Sequence, residues 1–250
     1  MVTRPKGSLG VWGPVPWTGF PDRLLRLYTP PGYHEAEARP LLVLFDGQNV
    51  FDNAPSFAGG WRAHEAVEKL AAGRPRPLVL GIDNGGGERL HEMAPWAAHG
   101  SRGEADRFLA GVERAIAEVR RRVHVIGGAV GCAVGGSSLG GLLSLYAHFS
   151  RPDLFGGALA MSPSIWFQQR RLLDWLGQQS TPMFSRVYLD AGALELRGGL
   201  VNLVRSLGDG LAQRGYGADR LMVRVDRKGA HNEMSWRRRL PGALRFLYRG

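Results

Sequence analysis

Cysteine, lysine and unbroken apolar stretches are what this chain has little of. Its one cysteine, Cys132, cannot form an internal disulfide, which excludes a disulfide-stapled scaffold and makes a reducing, cytoplasmic setting the expectation. No apolar run nears the ~20 residues that a membrane-crossing helix needs, because Gly, Pro and Arg interrupt every one. Residues 1–7 are basic but lack the apolar stretch of roughly 7–15 residues found in a secretory leader. Neither a membrane partner nor export is expected. Lysine is nearly absent, with Lys6, Lys69 and Lys228 set against 29 arginines.

What is present argues for a packed core. Hydrophobic residues make up 44% of the 250, too many for a charged disordered chain, and the 36 glycines lack the three-residue period of a collagen. The length suits one α/β domain over residues 1–250, since such domains commonly run to ~200–250 residues. No linker, repeat or composition break divides it. The formal charge is +10, of which residues 219–250 carry +6. A nucleic-acid binder would interleave basic and aromatic side chains over a face, or show a binding module. Neither is visible, so no nucleic-acid partner is expected. Within that last segment Trp236, Leu240, Leu244 and Leu247 mark the buried face of a helix. Pro241 reads as its start, with Arg237, Arg238, Arg239, Arg245 and Arg249 largely on its solvated side.

Short apolar runs alternate with helical patterns along the chain. Leu41–Phe45 and Leu78–Ile82 lack polar alternation, as strands buried on both faces do. Further strands are predicted at residues 24–29, 129–135, 186–190 and 221–225 and at Gly157–Met161. Helices are predicted over residues 61–70, 139–149 and 200–214. Another follows Ser101-Arg-Gly-Glu104, read as a capping box ahead of a stripe of Phe108, Val112, Ala115, Ile116 and Val119. The alternation predicts a mostly parallel, doubly wound α/β sheet with helices on both faces. Ligands of such sheets sit at the carboxyl ends of the strands, so chemistry is sought just after each apolar run.

The strongest signal there is Gly136-Ser137-Ser138-Leu139-Gly140, between a predicted strand and a predicted helix. A G-x-S-x-G turn needs small residues beside the serine because the turn is so sharp, and it lifts Ser138 Oγ above the sheet at a helix N-terminus. A serine nucleophile requires a base, and in this strand-turn-helix setting the order is Ser, acid, His. Of seven histidines only His231 follows both Ser138 and the late strands. For the acid, Asp190 and Glu195 both lie at the end of the penultimate strand, and local geometry leaves the two open. An oxyanion hole needs two backbone N–H donors. Leu139, next to the nucleophile, is one, and Gln48 in the loop Asp46-Gly-Gln-Asn49 is the natural second, with Gly47 letting the chain turn.

Together these residues resemble the esterase-D-like, enterochelin-esterase-like family of the α/β-hydrolase superfamily. The resemblance runs from Tyr28 to the end. It rests on Leu44-Phe-Asp-Gly-Gln-Asn-Val-Phe-Asp52, Gly136-Ser-Ser-Leu-Gly-Gly141, Ser162-Pro-Ser-Ile-Trp166 and His231-Asn-Glu-Met-Ser-Trp236, with Gly81-Ile-Asp-Asn84, Arg89-Leu-His-Glu92 and Arg151-Pro-Asp-Leu-Phe155. It implies an α/β-hydrolase fold with little or no lid. Gly192-Ala-Leu-Glu195 fits the family's acid position, which favours Glu195 over Asp190. The resemblance also places Asn49, Trp61, Trp166 and Trp236 around the substrate and supports Gln48; Arg89 and Glu92 read as an ion pair shaping the rim.

The function expected is a serine carboxylic-ester hydrolase working through an acyl-enzyme on a small-molecule ester, with no metal or organic cofactor. Acyl transfer to a sugar or alcohol, and a non-catalytic basic binding protein on the same scaffold, are the alternatives. The family's cytoplasmic siderophore esterases carry an extra N-terminal domain that is not seen here.

Overall fold

The computed structural model describes residues 7–249 except 35, 57 and 168. The basic start on which the leader reading rests lies almost wholly outside them. Eight strands form one sheet: β1 (Ser8–Trp17), β2 (Phe20–Thr29), β3 (Leu41–Phe45), β4 (Leu78–Ile82), β5 (Cys132–Ser137), β6 (Gly157–Met161), β7 (Arg186–Gly192) and β8 (Leu221–Asp226). Their order is β1-β2-β4-β3-β5-β6-β7-β8. The first two join antiparallel, and every pair from β4 to β8 is parallel. The helices are α1 (Ala63–Glu68), α2 (Arg89–Met93), α3 (Ala105–Arg122), α4 (Leu139–Ser150), α5 (Gln169–Gln178), α6 (Gly199–Gln213) and α7 (Glu233–Leu247).

The uninterrupted apolar strands serve both faces at once. Leu41, Val43 and Phe45 pack with Phe108, Val112 and Ile116 of α3, while Leu42 and Leu44 pack with Trp61, Leu240 and Leu244 on the α1–α7 side. The strand period of two explains the split. Leu189 and Ala160 join the core beneath α4, α5 and α6. The predicted stripe of α3 is buried throughout.

Four local expectations are corrected. Ser101 does not cap α3: its hydroxyl donates to Leu90 O and accepts from Gly103 N–H, and Glu104 stands at the cap with its carboxylate turned to Arg102 and Arg107 and not to the helix N–H groups. Residues 129–131 form a single 3-10 turn, and the strand begins at Cys132. β1 escapes prediction because its Gly and Pro read as loop; it survives as an exposed edge strand, where missing ladder donors cost little. The last helix starts not at Pro241 but at Glu233, because Asn232 Oδ1 accepts the Ser235 N–H at 3.0 Å. Pro241 is carried inside α7.

One buried polar pair ties α4 to its surroundings. His148 is 0% exposed; its Nδ1 lies 3.0 Å from Phe155 O and its Nε2 3.2 Å from Tyr216 Oη. A carbonyl only accepts, so Nδ1 carries the proton and Nε2 accepts from the tyrosine. Burial pushes His148 down to about 4, against the Phe155 carbonyl, which raises it. The folded state therefore binds fewer protons than the unfolded one between pH 6.5 and 4, and stability is lost as pH falls through that window. Urea unfolding should show His148 removing about 2 kcal/mol between pH 7 and pH 5, a loss missing from His148→Asn.

Candidate active site

The turn after β5 is built on strain that only its neighbours make tolerable. Ser138 has φ 56° and ψ −123°, a left-handed conformation that costs an L-residue on the order of 1–3 kcal/mol. Its N–H donates to Met161 O, and its carbonyl accepts from Leu142 and Ser164 N–H, which holds the turn in place. Gly136 is obligatory there, since a Cβ would lie 2.7 Å from the backbone carbon of Gly140. At Gly140 a Cβ would come within 3.3 Å of Asp46 Oδ2 and Phe45 Cβ, so the loop after β3 sits directly against the start of α4.

His231 Nε2 lies 2.9 Å from Ser138 Oγ across 93 residues of chain, and His231 Nδ1 lies 2.7 Å from Glu195 Oε2. Because the carboxylate accepts, Nδ1 carries the proton and Nε2 turns its lone pair to the serine hydroxyl. The loops that bring the pair together are laced by Ala193 N–H to Asp226 O and Leu194 N–H to Gly229 O. His231 is 41% exposed and Glu195 1%. Burial pushes the Glu195 carboxyl up, but bonds from His231, Ser162 and the Gly192 N–H together hold it below the usual range.

Asp190 does not meet His231. Its Oδ1 accepts the Ser162 N–H at 3.0 Å, its Oδ2 accepts the Tyr188 hydroxyl, and Arg239 Nε stands 3.2 Å from that same oxygen without hydrogen-bond alignment. Burial raises Asp190 to about 6 against the pull of Arg239. Arg239, expected in solvent, is 3% exposed: its Nη2 donates to Ser162 Oγ at 2.7 Å and its Nη1 lies 3.7 Å from Glu195 Oε1. Ser162 in turn donates to Glu195 Oε1 and accepts from Trp236 Nε1 at 3.0 Å, so its hydroxyl is saturated. Sequence reasoning gave Ser162 no role, although the Ser162 to Trp166 segment carried it, and placed Arg239 in solvent. It also missed Ser164, whose Oγ lies 3.1 Å from Ser138 Oγ.

In the loop after β3 the left-handed residue is Asp46 (φ 57°), not Gly47. Gly47 is needed for a different reason: a Cβ there would strike Gly81 at 2.6 Å. Asp46 accepts both Arg89 Nε and Nη2, at 2.6 and 2.7 Å, and Asn84 Nδ2 at 2.5 Å. Arg89 thus pairs with Asp46, while Glu92 pairs with Arg23, both side chains 0% exposed; the expected Arg89–Glu92 pair does not form. Gln48 and Leu139 occupy first-turn positions, Gln48 in a single 3-10 turn and Leu139 in α4, where N–H groups have no partner inside their own helix. Gln48 Oε1 accepts the Asn84 N–H, and Asn49 O accepts the Trp61 N–H. Trp236 packs edge-on against His231 at 5.1 Å and Trp61 packs behind it at 5.9 Å. At 5% and 1% exposure they offer a ligand little surface, whereas Trp166 is 50% exposed.

The family model described as "Putative esterase" matches residues 21–247. The chain belongs to this esterase family. It is a carboxylesterase-type hydrolase of the α/β-hydrolase fold. The esterase is 22% identical over 245 residues to the uncharacterised protein YbbA of Bacillus subtilis (strain 168), covering 91% of this chain and 93% of that one. It is 29% identical over 249 residues to the iron(III) enterobactin esterase of Dickeya dadantii (strain 3937), covering 92% of this chain and 52% of that one. The chain thus spans about half the length of that relative. Among solved structures, an IroE-like serine hydrolase from Shewanella oneidensis superimposes with a TM-score of 0.76 at 20% identity, over 97% of this chain and 80% of that one. Among the described residues of the esterase, no cluster of three or more His, Cys, Asp or Glu is placed to hold a metal ion, and no helix is long and apolar enough to cross a membrane.

Removing Arg239 strands the buried carboxylates of Asp190 and Glu195. Arg239→Met should destabilise the esterase by roughly 3–5 kcal/mol in urea unfolding at pH 7, the cost of breaking a buried ion pair from one side. An effect under about 1 kcal/mol, the ceiling of an exposed pair, would show that Arg239 is not held as described.

Proposed function

We propose that Ser138, His231 and Glu195 are the nucleophile, base and acid of a hydrolase for small-molecule carboxylic esters. One observation carries this reading: an unbroken hydrogen-bonded line from Ser138 Oγ through His231 to the buried Glu195 carboxylate, at 2.9 and 2.7 Å. As Oγ attacks the ester carbonyl, its proton passes to His231 Nε2, and Glu195 stabilises the imidazolium. The N–H groups of Leu139 and Gln48 receive the oxyanion. His231 then returns the proton to the departing alkoxide, leaving an acyl group on Ser138. Water, deprotonated by the same nitrogen, attacks the acyl carbonyl and releases the acid and the serine. Exposure of the imidazole edge admits that water and favours hydrolysis over acyl transfer.

The substrate class we propose is a short-acyl, aryl, acetyl-sugar or siderophore-type ester, with Trp166 and Asn49 at the substrate side and Trp236 bracing His231 from behind. The likeness to an iron(III) enterobactin esterase supports including catecholate esters among the substrates tried. A single α/β domain acting in the cytoplasm fits the lone thiol, Cys132, which is fully buried and pushed up to about 12, inert toward exchange.

Ser138→Ala should lose at least ~10³-fold in kcat on p-nitrophenyl acetate and butyrate. Glu195→Gln should lose about 10²–10⁴-fold with KM nearly unchanged, because the amide no longer fixes the imidazole tautomer. Steady-state kinetics decide the matter: turnover by Ser138→Ala at the wild-type rate contradicts the assignment.

A further inference from the structure

Part of the C-terminal charge is left over once the ester site is described. Arg237 reaches Glu65, Arg238 pairs with Asp226, and Arg239 is taken up by Asp190 and Glu195. Among the described residues Arg224, Arg227 and Arg245 form no ion pair. These three line one cavity of about 260 Å³, between β8 at the sheet edge and α7. On β8, Met222 packs into the core on the α7 side, and Arg224, two residues on, faces the same way.

The convergence point is Gly242. A Cβ there would lie 3.7 Å from Arg224 Nη1 and 3.9 Å from Arg245 Nη2. Two like-charged guanidinia therefore meet over a spot that has no side chain, and the one carboxylate lining the cleft, Asp226, is taken up by Arg238. Glycine is also a poor residue for a helix interior, and Gly242 sits well inside α7. Arginines on an edge strand blunt unwanted pairing of sheets, which accounts for Arg224. That explanation does not reach Arg245, which lies on the helix, nor the glycine between them.

We propose that this cleft binds a small multivalent oxyanion of the phosphate type. The forked donors of Arg224 and Arg245 match phosphate oxygens in pairs, and Arg227 closes the rim. Three unpaired cations exceed what one carboxylate neutralises, so a dianionic phosphate or pyrophosphate is the fitting charge. The cleft shares Arg239 with the network behind the ester site, but Ser138, His231, Leu139 and Gln48 do not line it.

The test is thermal unfolding and calorimetric titration of the full chain with inorganic phosphate and pyrophosphate, against acetate and chloride at matched ionic strength. The wild type should show saturable binding and a rise of several degrees in midpoint with the phosphates alone. Arg224→Gln/Arg245→Gln should lose that response while hydrolysing a neutral ester at the wild-type rate, so the outcome is separate from the esterase assignment. Arg120→Gln/Arg121→Gln, which lowers the net charge equally, should keep it. Gly242→Glu, placing a carboxylate between the two guanidinia, should raise the midpoint without added anion and abolish the response. Equal responses in all four proteins, or a shift reproduced by acetate or chloride, would overturn the proposal.

Discussion

A carboxylate held ionised at 1% exposure is the demand around which the C-terminal half of the chain is arranged. Glu195 is desolvated, and a lone buried charge in that position would protonate. Four groups prevent it: the imidazole of His231, the hydroxyl of Ser162, the N–H of Gly192, and the guanidinium of Arg239 at longer range. Each arrives from a different element. Arg239 brings a buried charge of its own, and Asp190 offsets it. The result is an alternating string of acid, base and hydroxyl, in which no member is removed without stranding another. Such networks are better understood as devices for holding one geometry than as sources of stability.

Strand order decides why these groups can meet. Because β6, β7 and β8 run parallel and adjacent, their carboxyl ends deliver Ser162, Glu195 and His231 to one rim of the sheet. β5 adjoins both β6 and β3, so the strained turn at Ser138 lies between that network and the Asp46 loop. Met161 O accepts the Ser138 N–H, and Asp46 is locked by Arg89 and Asn84. The positive φ values of Asp46, Ser138 and Ser162 all fall at this rim. Backbone strain is thus present where the reacting atoms would sit, as it is also at Arg62, His99 and Phe184. Ser138 and the two N–H groups proposed to receive the oxyanion, those of Leu139 and Gln48, share one origin: each stands at the start of a helical turn.

Much of this was legible in the chain before any coordinates. Leu41–Phe45, Leu78–Ile82 and Gly157–Met161 are strands to the residue, because strands buried on both faces leave an apolar signature with no competing period. Ser138, His231 and Glu195 were nominated by motif, chain order and resemblance, and His231 lies within hydrogen-bond reach of the other two. What could not be read were the partners. Arg239 sits in a run of three arginines indistinguishable by type, and only the 100° step of α7 turns one of them inward. Asp190 and Glu195 differ by five residues and one turn, and their separation depends on how the loop folds back over Gly229. Pro241 looked like a helix start because proline favours that position, but the Asn232 cap lies earlier and sets the boundary.

The esterase assignment rests finally on whether the Ser138 hydroxyl is chemically activated by this arrangement. A fluorophosphonate probe reads that property without a choice of substrate, since it phosphonylates a serine in proportion to its nucleophilicity. With the intact chain at neutral pH, mass spectrometry should find one adduct per protein, on the peptide bearing Ser138, and its rate should fall sharply in His231→Ala. No adduct, or an adduct on Ser138 formed as fast without His231 as with it, would contradict the account.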